Sequence, residues 1–113
     1  MAVYVVNLVV DQGVDFTQTL NLENGSTNAA SDLTDYTGAA QLRKHASSRN
    51  SYSFTVTFQD RVNGVVKLTL SDDITKRIKP GRYIWDLILT DSNGLKERVV
   101  EGSVLVRESA TKE

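Results

Sequence analysis

Polar and apolar residues alternate with a period of two along most of this chain, and an amphipathic helical period is almost absent. Successive side chains on a strand point to opposite faces, so the pattern predicts strands with one face in a core. Val3 to Val10 is the first β-prone run, apolar on both faces. In the next, Phe16 to Leu22, the residues Phe16, Leu20 and Leu22 share a face. Gly38 to Lys44 is a weaker strand with Ala40 and Leu42 inward, and Ser53 to Gln59 gathers Phe54, Val56 and Phe58. A hairpin connection, Asp60 to Gly64, ends in Asn63-Gly64 and returns the chain as Val65 to Leu70, with Val66, Leu68 and Leu70 inward. The longest run, Arg82 to Thr90, sets Tyr83, Trp85, Leu87 and Leu89 on one face and Ile84, Asp86 and Ile88 on the other. After an Asn93-Gly94 turn, the last strand holds Val100, Gly102, Val104 and Val106 in register, and residues 108–113 form a polar tail expected to fray.

Glu23 to Thr37 is rich in Asn, Ser, Thr and Asp and reads as a long connection. One short helix interrupts the strands. Ser71 or Asp72 can cap it, Asp73 suits its positive end, and Lys76, Arg77 and Lys79 suit its negative end. Ile74 and Ile78, four apart, can plug one end of the core, and Pro80 is expected to stop the helix where Gly81 lets the chain turn. About seven short strands separated by turns predict an all-β fold: an immunoglobulin-like, two-sheet antiparallel sandwich with one short helical turn. No linker or repeat divides residues 1–113, so a single domain is expected.

Composition narrows function mainly by exclusion. The chain of 113 residues is long enough to bury about two-thirds of its unfolded surface. Its 13 basic and 14 acidic residues give a formal charge of −1, so nothing draws it to a polyanion, and no nucleic-acid partner is expected. With no cysteine, thiolate chemistry and cysteine-containing zinc sites are out of reach. The N-terminus lacks a basic start and its apolar run stops at Asp11, which argues against a signal peptide or a membrane span. The expectation is a soluble protein made in a cytoplasm.

Candidate chemistry is sparse. His45, the sole histidine, lies between Lys44 and Ser47-Ser48 without an orienting carboxylate, which suits a solvated loop better than a base for a nucleophile. The pairs Asp11 and Asp15, Asp32 and Asp35, and Asp72 and Asp73 lack calcium-loop spacing and are explained by turns and helix capping. Asp86, on the face opposite Trp85, is expected to pair with an Arg or Lys of a neighbouring strand. Asn24-Gly25-Ser26 fits an N-glycosylation acceptor, a pattern that turn chemistry explains without export. No glycine-rich phosphate loop occurs, and neither a metal nor another cofactor is expected.

Two features point to partners. The first run exposes an apolar face through Val3, Val5, Asn7 and Val9, which invites pairing or covering by another chain. The same run also suits a central strand covered by the chain's own loops. The loop Lys44 to Tyr52 offers His45, Arg49 and Tyr52 as a recognition patch.

Several stretches together resemble a family of tailed-phage virion domains, immunoglobulin-like β-sandwiches of baseplate and tail proteins that include the N-terminal domain of upper baseplate proteins. The resemblance rests on Asp11-Gln12-Gly13-Val14-Asp15-Phe16 with the strand that follows, on Asp32 to Arg43, and on Gly64 to Leu70 with Ser71-Asp72-Asp73-Ile74-Thr75. It continues in Lys79 to Leu87 and Val100 to Val106. It implies a non-enzymatic structural protein of the virion, assembled in the host cytoplasm, present in multiple copies or as a homo-oligomer, and bound to other virion proteins. Upper baseplate proteins continue into further domains, so a free-standing copy is expected to be an accessory tail, neck or baseplate component, or a capsid decoration protein. The competing class is a carbohydrate- or receptor-binding module, for which Tyr4, Tyr36 and Tyr52 are the candidate contacts.

Overall fold

The computed structural model describes residues 3–23 and 31–112, so the Asn24-Gly25-Ser26 pattern lies outside the described residues. Among the described residues, eight strands and one helical turn follow each other. They are β1 (Tyr4–Val5), β2 (Leu8–Asp11), β3 (Phe16–Asn21), β4 (Thr37–Arg43), β5 (Tyr52–Asp60), β6 (Val65–Leu70), α1 (Asp72–Thr75), β7 (Gly81–Thr90) and β8 (Lys96–Arg107). No helix among the described residues is long and apolar enough to cross a membrane.

The alternation places its residues as expected. Leu8 and Val10, Leu20 and Leu22, Ala40 and Leu42 are buried, as are Val66, Leu68 and Leu70. Tyr83, Trp85, Leu87 and Leu89 form the spine of the core, and Phe16, Val56 and Phe58 pack against it. Phe54 bridges the layers, its ring 5.9 Å from Phe16 and 5.8 Å from Trp85, in tilted and edge-on geometries that aromatic quadrupoles favour.

Three expectations need correction. Two separate sheets were expected, whereas the strands form one hydrogen-bonded path, β1-β8-β7-β4-β5-β6-β3, with β2 also on β8. The cause is β5, which pairs with β4 through Tyr52–Phe54 and passes to β6 from Thr55 onward. A strand shared in this way curls the sheet over its own core as an open half-barrel. Second, the pairing is not wholly antiparallel, because β1 and β2 run parallel to β8. Third, the run Val3 to Val10 is two strands, broken at Val6 and Asn7.

That break has a specific chemistry. The Val6 N–H donates to the Glu101 carbonyl, while the Val6 carbonyl turns inward and accepts the indole N–H of Trp85 at 2.8 Å. It can approach only because the residue of β8 opposite Trp85 is Gly102, where a Cβ would lie 2.0 Å from the Val6 oxygen. Asn7 then stands in for the diverted backbone, its side-chain oxygen accepting from the Ser103 N–H at 3.1 Å and from its hydroxyl at 3.0 Å.

The helical turn differs from expectation in two ways. Ser71 occupies the N-cap position with extended backbone but makes no side-chain cap. The cap comes instead from Asp15, which accepts the Asp72 N–H at 2.8 Å across 57 residues of sequence. Gln12 donates to the Ile78 carbonyl and the Thr75 hydroxyl to the Val14 carbonyl, so the β2–β3 loop and α1 are stitched together. Regular helix ends at Thr75, well before Pro80, yet Ile78 is fully buried and Ile74 packs on the core, so the plug forms as expected.

Gly102→Ala is expected to drive its methyl group into the Val6 carbonyl, which as backbone cannot swing aside. A loss of about 2–4 kcal/mol in unfolding free energy should follow, with faster hydrogen exchange at Val6. Urea denaturation and amide exchange check both, and a near-neutral substitution would contradict the account of the break.

Candidate functional site

The N-terminal strands form one border of the curled sheet. Their inner side chains are committed to the core, while the outer ones face solvent: Val5 is 72% exposed and Val3 and Val9 are each 49% exposed. No charged residue occurs from Val3 to Val10, so the border lacks the lysine or bulge that usually protects an edge. Of the four residues expected to form an assembly surface, Asn7 is engaged with Ser103, which leaves the three exposed valines. The patch continues on the same outer face through Leu105, which pairs with Val9, and through Ile84 on β7, itself 45% exposed. Beside it lies a hollow of about 630 Å³, lined by Val5, Ile84, Gln41, Arg43, Asp86 and Arg98 among others. Asp86 meets Arg98 at 3.3 Å, the cross-strand pairing its alternation predicted.

Two ends of the fold bear charge. At the end holding α1, the loop after β4 closes on itself, the Arg43 guanidinium donating to the Ser48 carbonyl and the His45 N–H to the Ser48 hydroxyl. A groove of about 370 Å³ opens here. Its lining brings Arg49 and Tyr52 together with Lys44 from the same loop and with Arg77 and Lys79 from the segment after α1. His45 is exposed and lies outside the groove lining, so the structure separates it from the other two recognition candidates. The phenols are structural here: Tyr52 donates to the Arg77 carbonyl at 3.3 Å and Tyr83 to the Lys79 carbonyl at 2.7 Å. Burial, with a smaller push from Tyr52, holds the Tyr83 phenol above its ordinary pKa, so it stays a neutral donor at neutral pH. The Lys44 ammonium sits 5.1 Å from the centre of the Tyr83 ring, a cation–π arrangement. Arg77 and Lys79, read from the sequence as partners of a helix terminus, are thus groove residues; a separation of about thirty positions from Arg49 hid this.

The acidic pairs resolve into structural duties. Asp11 accepts from the Nε and Nη2 groups of Arg107, at 2.7 and 3.2 Å, which pins the end of β2 to β8. Arg107's hydrogen bonds, against a small desolvation, hold the Asp11 carboxyl below its ordinary pKa. Asp15 caps α1, Asp73 pairs with Lys76, and Asp32 accepts from both the hydroxyl and the N–H of Thr34. Among the described residues, no group of three or more His, Asp or Glu side chains could hold a metal ion. The tyrosines offered to a glycan are partly buried, Tyr36 and Tyr52 against the core and Tyr4 with its hydroxyl on the Glu23 carbonyl.

No protein-family model and no curated protein sequence matches the chain. Among solved structures, the fold is similar to the N-terminal domain of phage TP901-1 ORF48, with a TM-score of 0.56 and 13% identity over 95% of this chain and 99% of that one. The resemblance to a phage domain read from the sequence is therefore shared by the fold. The Listeria monocytogenes internalin-like protein lmo2027 aligns with a TM-score of 0.44 and 11% identity, over 91% of this chain and 27% of that one.

The Asp11–Arg107 pair predicts a pH dependence. A carboxyl whose folded pKa is depressed contributes stability that is present above its unfolded pKa of about 4 and is lost as pH falls through the folded value. The pair is exposed, so the contribution is small. Parent and Asp11→Asn should differ in urea midpoint at about pH 6 and converge towards about pH 2–3. A gap that persists at the lowest pH would show that the pair acts through something other than charge.

Proposed function

We propose that this chain is a non-enzymatic structural protein of a tailed-phage virion, a tail, neck or baseplate component that works through protein–protein contacts. In this reading the curled sheet is a variant of the immunoglobulin-like sandwich, and the chain assembles in the host cytoplasm in several copies against other virion proteins. The observation that carries the proposal is the uncharged border at Val3, Val5 and Val9, contiguous with Leu105 and Ile84. Exposed apolar surface on an unprotected sheet edge is costly to leave in water and is stabilised when another chain covers it. The fold similarity to a phage protein domain supports the setting. Asp15, Asp11 and Asp32 are taken up in a cap, an ion pair and a turn, which agrees with a role in assembly rather than in a reaction.

Incorporation tests the reading. Particles purified from a phage carrying this gene are expected to contain the chain in repeated copies. Val5→Lys with Val9→Lys should leave it in the unassembled fraction, with the thermal midpoint within a few degrees of the parent because both side chains face solvent. A parent chain absent from the particle, or a double variant that enters as well as the parent, would sink the proposal.

A further inference from the structure

The two ends of the curled sheet carry opposite charge in a form suited to each other. Register fixes which loops share an end. Thr37 pairs with Thr90 and Asn21 with Val65, so the segment 31–36, the β5–β6 hairpin and the β7–β8 hairpin lie together. The other end holds the loop after β4, α1 and the entry to β7.

At the α1 end, Lys44, Arg49, Arg77 and Lys79 line one groove whose lining includes no carboxylate. None of the four makes an ion pair among the described residues. The acids nearby are occupied elsewhere: Asp73 with Lys76, Glu108 with Lys112, Asp11 with Arg107 and Asp15 with the first N–H of α1. Asp72 is the exception, exposed on the helical turn outside the groove lining. Four like charges in one concavity raise the local potential well above that of a chain whose net charge is −1.

At the far end, Asp32, Asp60 and Asp91 organise the loops that bear them. Asp32 accepts from Thr34, Asp60 from both nitrogens of Asn63, and Asp91 from the N–H groups of Asn93 and Leu95. Asp35 stands beside them with a backbone φ of 65°. None of these carboxylates has a basic partner within ion-pair distance among the described residues. The one arginine of this end, Arg61, is spent on the carbonyls of Leu33 and Tyr36 and lies over the Phe58 ring. Local hydrogen bonds therefore hold these acceptors rigid without an ion pair, although Lys96 opposite Thr90 also lies at this end, and rigid acceptors lose little freedom on binding.

We propose that copies of this chain associate head to tail, the basic groove of one copy receiving the aspartate-bearing loops of the next. The occupant is a second copy because the complementary surface is already present on the same molecule, at the end the first contact leaves open. Such a contact is heterologous, so it propagates into a ring or a column rather than stopping at a two-fold dimer. The inference stands apart from the virion reading, since it rests on charge placement and uses none of the valine border.

Sedimentation of the full chain tests it. In about 0.01 M salt, where charges act over about 30 Å, species larger than the monomer are expected, dissolving in about 1 M salt, where the range falls to about 3 Å. Arg49→Glu with Arg77→Glu, and separately Asp60→Asn with Asp91→Asn, should each be monomeric in low salt. Asp91→Asn keeps the single oxygen that accepts both loop N–H groups, and Asp60→Asn keeps an acceptor for the Asn63 N–H while giving up only the exposed bond from the Asn63 side chain, so the fold is expected to persist. Mixed together, the two variants should form a heterodimer and nothing larger, because each retains only one competent end. Val5→Lys with Val9→Lys should sediment like the parent, which separates this contact from the valine border. A parent that stays monomeric in low salt overturns the proposal, as does association indifferent to either charge variant. Binding of a polyglutamate probe by a parent that never self-associates would also overturn it, in favour of an acidic partner other than a second copy.

Discussion

The indole N–H of Trp85 is buried at the centre of the fold, and a donor placed there must find an acceptor or be penalised by about 1–3 kcal/mol. Its acceptor is a backbone carbonyl at the opposite end of the sequence, that of Val6. Much of the architecture follows from meeting that need. The N-terminal run must lie against β8, the β8 residue opposite Trp85 must lack a side chain, and the run must break so that one carbonyl turns inward. Asn7 repairs the ladder where the carbonyl has left it, and Asp11–Arg107 secures the far end. One buried polar atom thus determines how the first and last strands meet.

The same attachment explains the character of the sheet border. Parallel pairing to β8 in constant register, Tyr4 with Val100 and Leu8 with Val104, sends alternate side chains into the core and leaves Val5 and Val9 outside. A border strand that serves only the core would gain from polar residues at those outer positions. Valines there add nothing to the core, and the proposed contact accounts for them.

The alternation made the core legible because a period of two directly encodes which face a residue takes. Tyr83 through Leu89 and Val66 through Leu70 needed no tertiary information. Where residues depart from strict alternation, the reading missed them: a register shift in β8 opposite Leu87 and Ile88 buries both Val99 and Val100, and only the second was expected. Pairing direction was hidden for a different reason, since a strand's own pattern says nothing about which neighbour it finds. The transfer of β5 from β4 to β6 was equally invisible, because residues on either side of Phe54 continue one alternation. Of the candidate contacts, the valine border was readable from Val3 to Val9. The groove was only half readable, as Arg49 and Tyr52 without Arg77 and Lys79. The cap on α1 was assigned to neighbours in sequence, but Asp15 reaches it only once β3 has paired with β6.

The valine border and the two charged ends lie on different parts of the surface, and that separation bears on how an assembly could use both. The border runs along the strands, so contacts made there set copies or partners side by side. The groove and the aspartate loops terminate the strands, so contacts made there extend along the strand direction. Apolar contact depends weakly on salt, whereas exposed charge pairs are individually worth little and are screened within about 10 Å at 0.1 M. The two surfaces therefore respond to different conditions. A lateral contact of this kind supplies persistence, and an axial one sets polarity and order, because each end accepts only its opposite.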